Sequence, residues 1–185
     1  MDLDKAINQR ASCRKFLSKK PDWRDIIKAI EAGSKAPSAG NISTVRFILV
    51  SDKDKISEFA KASQQDFVSQ VDYVVVVCSE SKQCLLSYGK RGEKYCKQQV
   101  GAAIENFLLK LVSLGLATCW TGAFSDATVS RILQLPENVE PEAIFPIGYS
   151  FEKKYQKKKP NLDSILYFDV WKNKYMTKIR KPEAG

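Results

Sequence analysis

The sequence contains no histidine among its 185 residues. This absence excludes Ser-His and Cys-His catalysis, zinc sites of the HExxH type and the side chain best suited to proton transfer near neutral pH. We expect no metal site, and if the protein is an enzyme we expect a cofactor to carry the chemistry. The five cysteines are odd in number and show no CxxC spacing, which favours reduced, structural thiols.

Long apolar runs are also missing. No stretch approaches 18 consecutive apolar residues, and the first ten residues lack the apolar segment of a secretory signal, so we expect a soluble, cytoplasmic protein. The 44% of apolar and 28% of charged residues are ordinary for a globular chain of about one domain. We predict a single domain over residues 1–185, in which the apolar side chains of about 160–185 form an arm that packs on a partner subunit.

The formal net charge of +9 indicates an anionic partner, which could be nucleic acid, an anionic membrane surface or a phosphorylated cofactor. Much of the excess lies in lysines of the last third, where a solvated tail is the alternative explanation. A basic nucleic-acid-binding protein is therefore the rival function. No aromatic-studded RNA-binding motif or helix-turn-helix pattern supports this rival.

Hydrophobic periodicity predicts helices interleaved with strands. Predicted helices cover about 2–10, 21–33, 53–62, 93–114 and 125–133, and predicted strands cover 45–50, 72–79, 117–124 and 143–149. The four consecutive valines of the second strand indicate a central strand that is covered on both faces. Helices between strands exclude a pure β-sandwich and favour an α+β or α/β fold around one sheet.

The usual nucleotide-binding fingerprints are absent, since no GxGxxG follows a strand and no Gly-rich loop ends in Gly-Lys-Ser/Thr. A smaller pattern remains at the exit of the first helix, where Arg10, Ser12 and Arg14 alternate. In an extended chain, residues two apart point the same way. Two guanidinium groups and a hydroxyl would then face one anion, and this set of donors suits phosphate. The alternative explanation is that the three are ordinary polar residues on a surface edge.

Four separated motifs carry a resemblance to a known family. They are RASCRKF at 10–16, APSAGN at 36–41 ahead of the strand VRFILV, GLATCWTGAF at 115–124 and FPIGY at 145–149. In this order they resemble the nitroreductase family of flavoproteins over roughly residues 2–167. The resemblance implies an α+β, sandwich-like fold with a central, mostly antiparallel sheet flanked by helices. It also implies an intertwined homodimer with one FMN per active site, contacted by both chains.

The resemblance assigns roles to the first motif. By position, Arg10 would bind the FMN phosphate, Ser12 the ribityl or phosphate region, and Arg14 the N1/C2 carbonyl edge of the flavin. A fixed cation at that edge favours the reduced flavin, which tends to be anionic at N1.

The second motif would bring Asn41 to the pyrimidine edge of the flavin, with Pro37 and Ser38 shaping the loop. A simple turn ahead of a strand is the alternative explanation. Similar proteins continue this motif as Gln-Pro-Trp, whereas this sequence reads Ser43, Thr44 and Val45. The departure affects the wall of the flavin pocket and any substrate preference inferred from it.

In the third motif, the backbone N–H of Thr121 or Gly122 would donate to flavin N5, and Gly122 would permit close approach of the backbone. Trp120 is either a core aromatic or a flavin contact. Near the C-terminus, Lys157 and Lys159 resemble the basic segment that closes over the FMN phosphate.

Helix residues Glu105 and Asn106 also match the family but are interpreted as structural, and Gln99 stands where many relatives have an acidic residue. The implied reaction passes hydride from NAD(P)H to flavin N5 and then to an oxidant such as a quinone or nitroaromatic. Reductive dehalogenation and oxidative flavin breakdown are alternatives within the family.

Overall fold

The computed structural model describes residues 1–151 and 158–176. Its strands are β1 (Val45–Val50), β2 (Tyr73–Glu80) and β3 (Val139–Ile147). Its α-helices are α1 (Leu3–Gln9), α2 (Trp23–Ser34), α3 (Lys53–Ser63), α4 (Lys82–Tyr88), α5 (Arg91–Ser113), α6 (Asp126–Leu133) and α7 (Leu162–Ile165), with single turns of 3-10 helix at Ala39–Asn41 and Asp66–Gln70. None of the helices in the described ranges is long and apolar enough to cross a membrane.

The sheet has the order β1-β2-β3, and both pairings are antiparallel. Val50 pairs with Val74 at one end of β2, and Glu80 pairs with Val139 at the other. The valines of β2 are fully buried because helices cover both faces, as the valine run predicts. The fold is therefore α+β with an antiparallel sheet flanked by helices, which confirms the expected fold class.

One face of the sheet packs on α2 and α5, through a cluster that includes Ile26, Phe107 and Phe145. The opposite face packs on α3 and α6, through a cluster that includes Phe59 and Ile132. Helix α5 is the structural centre, because its broad apolar surface is buried along most of its 23 residues.

Local signals explain where several helices begin and end. The carboxylates of Asp22 and Asp52 accept hydrogen bonds from backbone N–H groups in the first turns of α2 and α3, and the Ser125 hydroxyl caps α6 at the start of the helix predicted over 125–133. Gly115 follows α5 with a φ of 75°, in the left-handed region that ends helices. Asp22 caps α2, so the helix begins at Trp23 and not at Pro21.

The prediction of a strand over 117–124 is wrong. This segment forms only isolated bridges, of Ala117 with Gly148, Thr121 with Ile144 and Thr118 with Ser12. These single contacts do not extend into a continuous ladder. Trp120 is exposed there.

Two further elements differ from the sequence prediction. Strand β3 begins at Val139 and not near residue 143, because its first half contains Glu140, Pro141 and Glu142, which hide the apolar pattern. The register also shifts there, between Val77 and Cys78 of β2. Helix α4 was not predicted, since its seven residues are too few to show a period.

Candidate active site

The segment that follows α1 is extended, as the alternation of polar residues predicts. Arg10 caps α1 with φ −64° and ψ 115°, and Cys13 is buried between the exposed side chains of Ser12 and Arg14. The N–H of Cys13 donates to the carbonyl of Thr118 at 2.9 Å, next to a parallel bridge between Ser12 and Thr118. The first and third motifs of the sequence therefore lie side by side.

A cavity of about 440 Å³ opens at this contact and is called the Arg10 cavity. Its floor is apolar and comes from α5 and the start of the third motif. Its polar and aromatic lining consists of Arg10, Ser12, Glu105, Thr118, Trp120 and Lys159. The structure thus brings together three of the four residues predicted to surround the phosphate and ribityl region, while Lys157 lies outside the described residues.

The charges in the Arg10 cavity do not cancel. Arg10 and Lys159 are cationic, and Glu105 is the carboxylate that lines the cavity with them. Nε of Arg10 lies 3.9 Å from Oε1 of Glu105, and their side chains are 23% and 50% exposed. Such a partly solvated pair is weak, so the guanidinium keeps donors for another anion.

Arg14 lies apart from the lining of this cavity. Its guanidinium carbon is 5.8 Å from the centre of the Phe67 ring. Burial raises the pKa of the Cys119 thiol, an effect that the Arg14 charge and the Ser12 hydroxyl oppose. Arg14 therefore acts on the residue just before Trp120, in the segment that carries the third motif.

The two candidate N5 donors differ in their bonding. The N–H of Thr121 donates to the carbonyl of Ile144 at 3.0 Å, and the carbonyl of Thr121 accepts from the N–H of Ile144 at 2.9 Å. Gly122 is exposed, and within the described part of the chain its N–H has no recorded partner. Of the two, only Gly122 keeps a free backbone donor.

The second motif lines a separate cavity of about 300 Å³, called the Asn41 cavity. Gly40 and Asn41 both take left-handed φ values, of 56° and 58°, which expose the loop edge. The left-handed φ at Gly40 favours glycine, and an added Cβ would also meet the hydroxyl of Tyr88 where α4 closes on the loop. The lining includes Pro37, Ser38, Asn41, Ser43, Val45 and Gln99.

Gln99 has a fixed orientation in the Asn41 cavity. Its Oε1 accepts hydrogen bonds from the backbone N–H and the hydroxyl of Thr44, at 3.4 and 3.2 Å. Its Nε2 is buried and has no partner among the described residues. An unpaired amide donor in a cavity is suited to an acceptor on a ligand.

A third cavity, of about 550 Å³, lies beyond Gly122 and is called the Gly122 cavity. Lys97 crosses its wall and pairs with Glu140 at 3.0 Å and with Glu142 at 2.6 Å. No group of side chains within residues 1–151 and 158–176 could hold a metal ion.

Comparison with known proteins identifies the family. The sequence profile of the nitroreductase family matches residues 7–149, which is most of the chain. The chain belongs to the nitroreductase family. This nitroreductase-family protein is 28% identical over 155 residues to an Archaeoglobus fulgidus protein with the provisional name NADH dehydrogenase/NAD(P)H nitroreductase, covering 81% of this chain and 86% of that one.

Two further comparisons extend this result. The chain is 24% identical over 179 residues to a Thermotoga neapolitana protein named iodotyrosine deiodinase, covering 88% of this chain and 95% of that one. The structure of the Vibrio harveyi NADPH:FMN oxidoreductase in complex with NAD⁺ matches with a TM-score of 0.84 at 21% identity, covering 92% and 78% of the two chains. At that identity the match shows the fold alone, and it is the fold that the four motifs imply.

For this nitroreductase-family protein, the sequence alone assigns no role to one polar residue that lines the Arg10 cavity and gives another only a structural role. Thr118 was not singled out, although it pairs with Ser12, because nothing in a threonine between apolar residues reveals that register. Glu105 was interpreted as structural, yet it lines the Arg10 cavity beside Arg10.

Proposed function

We propose that this nitroreductase-family protein is an FMN-dependent oxidoreductase that passes hydride from NAD(P)H through flavin N5 to a quinone, a nitroaromatic or a similar oxidant. The observation that carries the proposal is the meeting of Arg10, Ser12 and Lys159 in one cavity. Lys159 is distant in sequence from Arg10 and Ser12, and each of the three side chains is a donor suited to phosphate oxygens. Lys157 remains a proposed fourth contact.

The residues present fit FMN. The Arg10 cavity supplies cations and a hydroxyl for the phosphate end, and the adjoining third motif supplies the exposed backbone of Gly122 for the ring. The buried, unpaired Nε2 of Gln99 beside Asn41 offers a donor for a carbonyl at the pyrimidine edge. When bound, FMN supplies two-electron hydride chemistry, which this histidine-free chain does not provide through its side chains.

The protein's part in the reaction is to bind, to orient and to stabilise charge. Arg10 and Lys159 would hold the phosphate, while the N–H of Gly122 would donate at N5 and so orient the ring. Arg14 lies beside the third motif and would place its positive charge at the N1/C2 carbonyl edge. None of these groups has to exchange a proton for the hydride to move.

We propose a homodimer because the Arg10 and Asn41 cavities are separate in one chain. A single FMN would contact both if Pro37, Ser38 and Asn41 came from the second copy. The described part of the C-terminal arm supports this arrangement, since Trp171 is 77% exposed and several apolar neighbours are exposed as well.

The test begins with the purified protein. We expect a yellow preparation, or quenching of FMN fluorescence on titration, followed by oxidation of NADH or NADPH when a quinone or nitroaromatic is added. A colourless protein that does not bind FMN would overturn the proposal, and salt-sensitive binding of oligonucleotides would favour the rival instead. Size-exclusion chromatography with light scattering tests the dimer, and cell fractionation tests the expected cytoplasmic location.

A second candidate reaction is reductive dehalogenation, because a similar protein is named iodotyrosine deiodinase. It uses the same cavities and the same cofactor. Release of iodide from iodotyrosine under reducing conditions, measured beside the nitroaromatic assay, separates the two substrate classes.

A further inference from the structure

Thr118 has a buried hydroxyl that the fold leaves unused. Thr118 is only 7% exposed, and its Oγ1 has no hydrogen-bond partner among the described residues. Its backbone carbonyl accepts a hydrogen bond from the N–H of Cys13. Buried polar groups in native proteins are normally paired, so an orphaned hydroxyl calls for a ligand or another explanation.

The position of this hydroxyl points to a ligand. Thr118 lines the Arg10 cavity together with Arg10, Ser12 and Lys159. A parallel bridge joins Ser12 to Thr118, so the two residues lie on neighbouring extended segments about 4.8 Å apart. Two hydroxyl-bearing residues and two cations therefore line one cavity.

The chemistry of the lining defines the group that fits. Arginine and lysine only donate hydrogen bonds, and a hydroxyl can donate to an acceptor. A ligand in contact with Arg10, Lys159 and both hydroxyls is therefore rich in acceptor oxygens. A phosphate monoester on a polyol chain has this character.

We propose that Thr118 is a further cofactor-holding residue, whose hydroxyl donates a hydrogen bond to an oxygen of the phosphoribityl group of FMN beside Ser12. This inference rests on the proposed function and adds to it a residue of the third motif to which the resemblance assigns no role.

The central test is Thr118→Val, which removes the hydroxyl and keeps the shape. We expect the FMN dissociation constant, measured by fluorescence quenching, to rise roughly 2- to 13-fold. The thermal midpoint of the FMN-free protein should stay the same or rise, because the lost hydroxyl has no hydrogen-bond partner within residues 1–151 and 158–176. Thr118→Ser retains the hydroxyl and should bind FMN within about twofold of the unchanged protein.

A matched control is Thr128→Val. Thr128 lies in the first turn of α6, where its hydroxyl is 2.9 Å from that of Ser125, and it lines none of the three cavities described above. This substitution should leave FMN affinity unchanged. Equal losses of FMN affinity in the two valine variants would overturn the proposal.

Titration with riboflavin in place of FMN shows which part of the cofactor accepts the hydrogen bond from Thr118. If Thr118→Val weakens FMN but not riboflavin, the acceptor is a phosphate oxygen, and if it weakens both, the acceptor lies on the ribityl chain. Unchanged FMN affinity in Thr118→Val, or a lowered thermal midpoint of its FMN-free form, would overturn the role of Thr118. The proposed function would survive that result if Arg10→Gln still weakened FMN, whereas failure of the unchanged protein to bind FMN would overturn both.

Discussion

Replacing Arg10 with glutamine tests the phosphate site most directly. The substitution removes the guanidinium charge and keeps a polar side chain of moderate length in the Arg10 cavity. A hydrogen bond to a charged group contributes about 1.5–3 kcal/mol, so the FMN dissociation constant should rise about 13- to 160-fold. The loss should shrink as salt concentration rises, because part of the interaction is coulombic.

The neighbouring carboxylate refines this magnitude. At 3.9 Å, a charge pair in water is worth about 1 kcal/mol, and Glu105 is half-exposed, so releasing Arg10 from it costs little. The full phosphate interaction should therefore be lost in Arg10→Gln. Glu105→Gln should have the opposite effect, because a negative charge leaves the cavity, and should tighten FMN by up to about fivefold.

The assay is a titration of FMN-free protein followed by flavin fluorescence, at low and at moderate salt. Arg24→Gln is the matched control, since Arg24 is an exposed arginine paired with Asp22 at 3.5 Å on another part of the surface. If Arg10→Gln binds FMN as tightly as Arg24→Gln does, the phosphate does not lie in the Arg10 cavity and the reasoning is refuted.

Three further predictions concern packing, the flavin edge and pH. Gly33→Ala should lower the free energy of unfolding by about 1–3 kcal/mol in denaturant titration, because a Cβ would lie 2.8 Å from Cζ of Phe47; an unchanged midpoint would contradict this. Gly122→Ala should lower FMN affinity but leave the thermal midpoint of the FMN-free protein unchanged, because the added Cβ would contact Trp120 at an ordinary 3.6 Å. A lowered thermal midpoint together with lowered FMN affinity would indicate a structural role instead. Burial, with a contribution from Glu142, raises the pKa of Cys78 to about 12. Because the folded protein holds this proton more tightly than the unfolded chain, its free energy of unfolding should fall as pH rises from 9 toward 12. In denaturant titrations, Cys78→Ala should show a smaller fall over the same pH range.

The sequence predicts the central layers of the fold well because their signals are local. The valines of β2 require cover on both faces, and the caps at Asp52 and Ser125 mark helix starts wherever the helices later pack. The 117–124 segment shows the limit of such signals. Its composition suits a strand, but whether a strand forms depends on neighbours that reach it only at single bridges, such as Ile144 opposite Thr121.

In the candidate site, too, the residues with local sequence signals could be predicted and those placed by long-range contacts could not. The alternation of Arg10 and Ser12 could be recognised because its period is local, and Lys159 was found through family resemblance. The bridge that joins Ser12 to Thr118 connects segments far apart in sequence, so no local pattern contains it. The orphaned hydroxyl of Thr118 is equally invisible in the sequence, because it is a property of packing.

The departure at 43–45 from the pattern of similar proteins acquires a structural meaning. Thr44 is fully buried and directs both its N–H and its hydroxyl to Oε1 of Gln99, so its side chain does not line the Asn41 cavity. Ser43 and Val45, in contrast, do line it. Under the proposed function, the altered loop would affect a bound flavin or substrate in two ways. Ser43 and Val45 would contact it directly, while Thr44 acts through Gln99, whose Oε1 it occupies and whose Nε2 it leaves as the remaining donor.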